Sequence, residues 1–343
     1  MNPEPPYNIT VTAADYLVKI AETVTRLEYG TGFKRDIKLH RQNRVKSIYS
    51  SLAIEGNTLS LNEVTDVIAG RLVAGKQAEI KEVKNAYEAY DQIMTFNPHS
   101  VKDFLKAHKL MTDGLLKESG KFRSGDVGVF DGDTVVHVGA RPQFVPKLIE
   151  ELFAWAKGAE LHPVLKSAIV HCEIETIHPF ADGNGRMGRL WQTLILAKWN
   201  EVFAWIPIES LVYEKRQGYY EALQNAQRNN DSGGFIEFIL FAMLEAVSEQ
   251  AKLQEKHKDE HIDKHIVEQL SDTKISVLKA LKPGSLSRRD IFAAIGMKND
   301  FRAFKRNVEP LLEGGLIEMT VPDKPSSKLQ KYRLTDKGRT AIR

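Results

Sequence analysis

The chain has 343 residues, 42% of them hydrophobic, enough for two or three domains with packed cores. Lys+Arg and Asp+Glu nearly cancel, 48 against 45, and a lone cysteine, Cys172, excludes an intramolecular disulfide and fits a reducing cytoplasm. There is no run of 18 apolar residues and no signal-like N-terminus, so the reading is a cytoplasmic protein with no membrane partner. The charge is uneven. Residues 251–343 hold 20 Lys+Arg against 13 Asp+Glu, a net of +7, and the remainder is at −4. The basic end suits a polyanionic partner such as nucleic acid.

Residues 1–12 are Pro-rich and predicted extended, with Thr12 or Asp15 capping a helix that carries Tyr16, Leu17, Ile20 and Val24. A second helix is predicted from Ile37 to Ile54, with Gly56 as a left-handed C-cap. Ser51 and Glu55 lie four apart on one face of it. Leu61–Leu72 and Ala78–Thr95 follow as helices, the second turning Val83, Ala86, Tyr87, Tyr90 and Ile93 to one side. A helix from Val101 to Leu116 precedes Phe122-Arg123-Ser124-Gly125. Val127–Phe130 and Thr134–Val138 then flank Asp131-Gly132-Asp133 as a β-hairpin, and Pro142 and Pro146 lead into a helix over Val145–Lys157.

Val164–Ile177 puts Leu165, Ala168, Ile169 and Cys172 at helical spacing, and Met187, Leu190, Trp191, Leu194 and Ile195 do the same further on. Between these buried helices runs His178-Pro-Phe-Ala-Asp182-Gly183-Asn184-Gly185-Arg186-Met187-Gly188-Arg189. Its second half opens a helix, whose first N–H groups lack internal partners and attract anions. Gly183 and Gly185 let backbone approach a ligand, and Arg186 and Arg189, three apart, reach toward one polyphosphate. Asp182 is placed to hold a Mg²⁺ bridging phosphates, and His178 is a candidate general base.

This string resembles the signature of the Fic family, His-x-Phe-x-(Asp/Glu)-Gly-Asn-Gly-Arg-x-x-Arg, at every defined position. The resemblance covers roughly residues 40–245 and implies a mainly α protein, a Fic helical bundle with a β-hairpin flap. It implies transfer of AMP from ATP to a hydroxyl of a protein substrate, the chain itself included. By it, His178 deprotonates the target, Asp182 binds Mg²⁺, and Gly183, Asn184, Gly185, Arg186, Met187, Gly188 and Arg189 hold the phosphates. Glycine at 185, where kinase-like relatives carry lysine, favours nucleotidyl transfer. The flap residues Thr134, Val135, Val136 and His137 would add a target strand beside the site. Gly139-Ala140-Arg141-Pro142 stands where relatives often carry consecutive prolines. Ser51, Glu55 and Gly56 match the family's inhibitory motif, (Ser/Thr)-x-x-x-Glu-(Gly/Asn), which implies Glu55 bidentate on Arg189 in the space of the γ-phosphate.

Pro207-Ile-Glu-Ser210 is predicted to start one helix carrying Tyr213, Tyr219, Tyr220 and Leu223. By resemblance Tyr219 and Tyr220 line an adenine pocket, with Gln227 or Asn225 as an amide contact. Phe235–Val247 is the last apolar helix. In the charged stretch Ala251–Gln269, His257, His261 and His265 have metal-compatible spacing but no accompanying cysteine, so it reads as a solvated connector. Helices over Ile275–Leu281, Arg288–Ile295 and Asn299–Leu312, then a hairpin of Leu316–Val321 and Leu329–Leu334, resemble a winged helix, a small α+β domain. In the third helix Phe301, Phe304, Val308 and Leu311 should face inward and Arg302, Lys305 and Arg306 outward, for DNA or protein docking. The divisions are 1–97, an inhibitory helical region; 98–250, the catalytic core; 251–270, the connector; and 271–343, the winged helix. Two alternatives stand beside AMP transfer: AMP removal with Glu55 positioning a water, and a DNA-binding regulator with a nucleotide-sensing Fic domain.

Overall fold

The computed structural model describes residues 4–30, 33, 36–131, 134–268, 270–325 and 327–342. Contacts divide the chain into two units, Met1–Lys252 and Leu253–Arg343. The first contains α1 (Val11–Gly30), α2 (Ile37–Ile54), α3 (Leu61–Ile68), α4 (Gln77–Asp91), α5 (Val101–Thr112), α6 (Val145–Gly158), α7 (Pro163–Ile177), α8 (Asn184–Trp199), α9 (Ile208–Glu214), α10 (Arg216–Asn229) and the start of α11 (Gly233–Glu268). One antiparallel hairpin, β1 (Gly128–Asp131) with β2 (Thr134–Val138), interrupts the helices, with an irregular register between Val129 and Phe130. The protein is mainly α.

One hydrophobic core joins residues from Ala13 to Ala251. α7 and α8 form its centre, apolar and buried on nearly every side, as a helix enclosed by others must be. Trp191 of α8 anchors them: its ring stacks on Phe153 at 5.8 Å and meets Phe104 edge-on at 4.9 Å. Its buried indole N–H donates to the Pro98 carbonyl at 2.9 Å, so this large side chain leaves no unpaired donor.

Several elements differ from the sequence reading. The cap of α1 is Thr10, whose Oγ accepts the Ala13 N–H at 3.0 Å, and not Thr12 or Asp15, which lie inside the helix. α3 stops at Ile68 and α5 at Thr112 because Gly70 and Gly114 turn left-handed just beyond them. Tyr87 is exposed, while Val83, Ala86, Tyr90 and Ile93 are buried as expected. The single helix expected after Pro207 is two, α9 and α10, with Lys215 between them. The charged connector is a continuation of α11 to Glu268, and the side chains of His257, His261 and His265 lie outside the described residues.

The second unit contains α12 (Asp272–Ala280), β3 (Leu286–Ser287), α13 (Arg288–Ala294), α14 (Phe301–Asn307), α15 (Glu309–Glu313), β4 (Ile317–Met319), β5 (Lys331–Leu334) and α16 (Asp336–Ala341). Its strands form an antiparallel sheet in the order β3-β5-β4. Val277, Leu278, Ile291, Phe292, Val308, Leu311 and Leu334 make a separate core. The helix predicted over Asn299–Leu312 is split at Val308, since Pro310 has no N–H for the ladder. Phe301, expected inside, is 71% exposed, whereas Val308 and Leu311 are fully buried.

Gly188 sits on α8 against His171 of α7: a Cβ there would lie 2.6 Å from Cδ2 of that histidine. Gly188→Ala should therefore lower stability by roughly 1–3 kcal/mol through overpacking. Thermal unfolding of the variant checks this, and an unchanged midpoint would contradict it.

Candidate active site

α7 ends on His178, whose backbone adopts the left-handed conformation at φ 53° and ψ 61°. Among the described residues one other non-glycine, Asn230, has positive φ. A histidine held there is strained, and such strain concentrates where a side chain must be aimed. Three bonds hold the turn: the His178 N–H reaches the Ile174 carbonyl at 2.9 Å, Arg123 Nε donates to the His178 carbonyl at 2.7 Å, and Arg123 N–H reaches the Pro179 carbonyl at 3.1 Å. Arg123 also donates to the carbonyls of Gly125 and Ala140, tying the base of the hairpin to the end of α7. Sequence reasoning quoted Arg123 without a role; nothing local marks it. The Nδ1 of His178 lies 3.3 Å from the Glu175 carbonyl. A carbonyl only accepts, so Nδ1 carries the proton and Nε2 is the basic nitrogen of the neutral ring.

The loop after His178 is braced from within. Asn184 exchanges two hydrogen bonds with Phe180, at 2.8 and 2.9 Å, and Gly183 takes φ 87° as the N-cap of α8. His108 supports it from below, stacked on the Phe180 ring at 3.6 Å. Its Nδ1 accepts the Gly120 N–H at 3.0 Å, so Nε2 carries the proton toward the Asp182 carbonyl, 3.1 Å away. Burial pushes His108 down to about 4, consistent with that neutral tautomer. His108 too was missed, being one histidine within an ordinary amphipathic helix.

The two arginines are buried and point to different partners. Arg186 donates to Asp182 at 3.0 Å and to Glu82 at 3.3 Å. Arg189 Nε donates to Ser51 Oγ at 3.1 Å, and Nη2 donates to the Ser51 carbonyl at 3.0 Å and to Glu55 Oε1 at 2.6 Å. The Glu55 contact is thus through one nitrogen, and the bidentate pairing expected from the sequence is corrected: Ser51 holds the Nε edge. Burial opposes the Arg189 charge, but Glu55, Tyr219 and Glu175 outweigh it and raise its pKa. Arg189 Nη1 and Arg186 Nε are buried without a hydrogen-bond partner among the described residues. Two orphaned cationic donors beside a glycine-opened helix start form a cradle for an anion.

A cavity of about 190 Å³ opens beside them, lined by Glu55, Glu175, His178, the 181–185 loop, Tyr219, Tyr220, Leu223, Gln224 and Gln227. Tyr219 and Tyr220 line it, as does Gln227, while Asn225 does not. Tyr220 donates to the Ile54 carbonyl at 2.9 Å, next to Glu55 and Gly56, where Gly56 has φ 91°. A Cβ on Gly185 would lie 2.2 Å from Glu55 Oε1, so glycine there makes the seat for that carboxylate. Met187 and Gly188 are not brought to the cavity; Met187 is in the core and Gly188 lies against His171. Thr134, Val135, Val136 and His137 form β2, but their side chains lie outside the described residues.

Residues 98–196 match the model of the Fic/DOC family, and residues 272–335 match that of the Filamentation induced by cAMP protein Fic-like, C-terminal domain. Protein adenylyltransferase Fic of Nematostella vectensis is 32% identical over 203 residues, 56% of this chain and 45% of that protein. Protein adenylyltransferase fic-1 of Caenorhabditis elegans is 25% identical over 236 residues, 64% and 43% respectively. The chain spans under half the length of these curated relatives. A crystal structure of a Fic family protein from Desulfovibrio desulfuricans G20 is 39% identical, with a TM-score of 0.71 over 97% of this chain and 99% of that one. Fic-1 (residues 134–508) from Caenorhabditis elegans, at 22% identity and TM-score 0.61 over 71% and 73% of the two chains, shares the fold.

The neutral His108 makes loop support sensitive to acid. Its folded pKa of about 4 lies below the ordinary 6.5, so its contribution is fully present above 6.5 and is lost as pH falls toward 4. The loss should amount to roughly 3 kcal/mol at most. Denaturant unfolding of wild type and His108→Gln across that window should show the wild type losing more stability on acidification, and parallel losses would refute this.

Proposed function

The chain belongs to the Fic family, and from that premise we propose that it is a protein adenylyltransferase, moving AMP from ATP to a hydroxyl of a protein. The observation that carries the reading is the cavity itself. It has a basic histidine nitrogen at one wall, an exposed carboxylate at another, and next to it an arginine donor buried without a partner among the described residues. His178 Nε2 takes the proton of the target hydroxyl, and that oxygen attacks the α-phosphorus of ATP. The bond from the α-phosphorus to the bridging oxygen breaks, pyrophosphate leaves, and AMP remains on the target. The start of α8 and Arg186 hold the inner phosphates, and Arg189 Nη1 holds the γ-phosphate. Tyr219, Tyr220 and Gln227 hold the nucleoside. β2 offers a strand edge on which target backbone can pair.

Asp182 fits a Mg²⁺ that arrives with the nucleotide: it is a hard oxygen donor, its side chain is 59% exposed, and this ion commonly binds one carboxylate plus phosphates. When bound, the ion offsets phosphate charge. Glu55 is the brake in this reading. Its carboxylate takes the Arg189 Nη2 donor at 2.6 Å and lies against Gly185, so ATP that enters has its phosphates displaced. Misplacement of about 1 Å at the reacting atoms is worth roughly 10²-fold in rate.

In the second unit Arg302, Lys305 and Arg306 are exposed on α14 and have no ion pair among the described residues, which favours a further role in binding duplex DNA. Acidic residues neutralise other basic side chains there, as Glu318 does Arg333 at 2.6 Å.

Labelled-AMP incorporation tests the main reading. His178→Ala should lose on the order of 10²–10⁴-fold in rate, and Glu55→Gly should gain roughly 10²-fold, self-modification included. No incorporation by Glu55→Gly would overturn AMP transfer, and loss of AMP removal from a modified target in that variant would favour the reverse reaction. For the second unit, duplex DNA binding should weaken with salt at a log–log slope reduced by about 1 for each of the three cations removed. An absence of binding at low salt would leave the patch to a protein partner.

A further inference from the structure

Behind the cavity runs a row of buried polar atoms in which one proton can sit in more than one place. His171 Nδ1 lies 2.6 Å from Gln192 Oε1, His171 Nε2 lies 3.1 Å from the Tyr219 oxygen, and that oxygen lies 3.0 Å from Glu175 Oε1. Three contacts need three protons. A neutral imidazole brings one and the phenol brings one. The third has three sources: an imidazolium, a Gln192 amide turned to present its NH₂, or a carboxyl proton on Glu175. The imidazolium is excluded by depth, since His171 is fully buried and held down to about 3. Its Tyr219 and Phe235 neighbours supply aromatic surface rather than charge.

Resting on the adenylyltransferase reading, we propose that Glu175 is a carboxylic acid that forms an uncharged wall of the nucleotide cavity, and that loss of its proton opposes entry of the anionic nucleotide. With Nδ1–H directed at Gln192 Oε1, Nε2 accepts the phenol proton, the phenol oxygen accepts from the Glu175 carboxyl, and all three contacts are satisfied.

The surroundings act in the same direction. Burial pushes Glu175 up to about 7, and the Glu55 carboxylate pushes it further in that direction, while Arg189 and Tyr219 restrain it. The charged and titratable groups around it are His171 on its own helix, Arg189 on α8, Tyr219 and Tyr220 on α10, Glu55 at the C-cap of α2, and His178 and Asp182 at the cavity wall. Glu55 already meets Arg189. A second carboxylate in that space would face the triphosphate without a cation of its own, and protonation removes that repulsion. Glu175 is therefore a positioning and selectivity residue, whose readout is a pH profile.

Two measurements test this. Carbon-13 spectra of the glutamate carboxyls, with the Glu175 signal identified by its absence from Glu175→Gln, should show a midpoint of about 7 in the wild type. The midpoint should move down in Glu55→Gly, since the Glu55 carboxylate contributes to the rise. A Glu175 midpoint in the ordinary carboxylate range would overturn the proposal and place the third proton on a turned Gln192 amide. ATP affinity of Glu55→Gly and of Glu55→Gly/Glu175→Gln is then compared across pH by calorimetry. Both variants lack Glu55, so the ratio of their affinities at each pH reports the Glu175 side chain. The single variant should lose about tenfold relative to the double variant as Glu175 ionises, the size expected for one pair of like charges in a partly buried site. A constant ratio beside a raised carboxyl midpoint would overturn the electrostatic role. Failure of both variants to bind ATP would sink the adenylyltransferase reading instead, and the carboxyl midpoint would still locate the proton.

Discussion

Arg189 is a permanent charge enclosed at the centre of a helical core, and α2 is built around satisfying it. The side chain is 2% exposed and, among the described residues, finds its acceptors on Ser51 and Glu55. A buried cation left without acceptors is strongly unfavourable, so the docking of α2 and the burial of Arg189 stabilise one another. The rest of α2 follows the same pattern. Asn43, Ser47 and Ser51 of α2 and Glu55 at its C-cap recur every fourth residue, and they meet Gln250, Glu209 and, for the last two, Arg189. Glu209 also accepts from Tyr90 at 2.8 Å and from Thr193 at 3.2 Å, one turn beyond Arg189 on α8. A polar stripe of this kind specifies register, because each acceptor meets its donor in one alignment only.

The glycines permit this arrangement and the histidines brace it. Gly185 leaves room for Glu55, and Gly139 lets the hairpin base reach within 3.1 Å, measured from its would-be Cβ, of the His178 Cβ. His108 and His171 are both neutral supports, one beneath the loop and one behind Tyr219. Acid works against both, since each must gain a proton it has no room to solvate, whereas alkali works against a protonated Glu175. The interior of this site is therefore held near neutrality from two sides.

The make-up of the candidate site was legible in the sequence wherever it depends on neighbours in the chain. His178, Asp182, the glycine loop and both arginines fall within twelve residues, and a helix opening on glycines is a local instruction. The α7 and α8 cores were readable from spacing alone, because an enclosed helix is apolar at every turn. Periodicity failed at Lys215, where a turn separates α9 from α10, whereas the break in the second unit was legible from Pro310, which has no N–H for the helix ladder. It also failed for Phe301, an apolar side chain left outside the small core.

The sequence by itself determined which groups the site contains; tertiary structure alone decided how they are paired and protonated. Arg123, His108 and Glu175 carry no mark in the chain, since the Ala140 carbonyl, the Asp182 carbonyl and the Tyr219 phenol that they meet lie 17, 74 and 44 positions away. The single-nitrogen contact of Glu55 with Arg189 is likewise a matter of where α2 comes to rest, because Ser51 occupies the other edge of the guanidinium. Hydrogen bonds and charges act through space over a few ångströms, and the fold alone brings residues 51, 175, 189 and 219 within that distance.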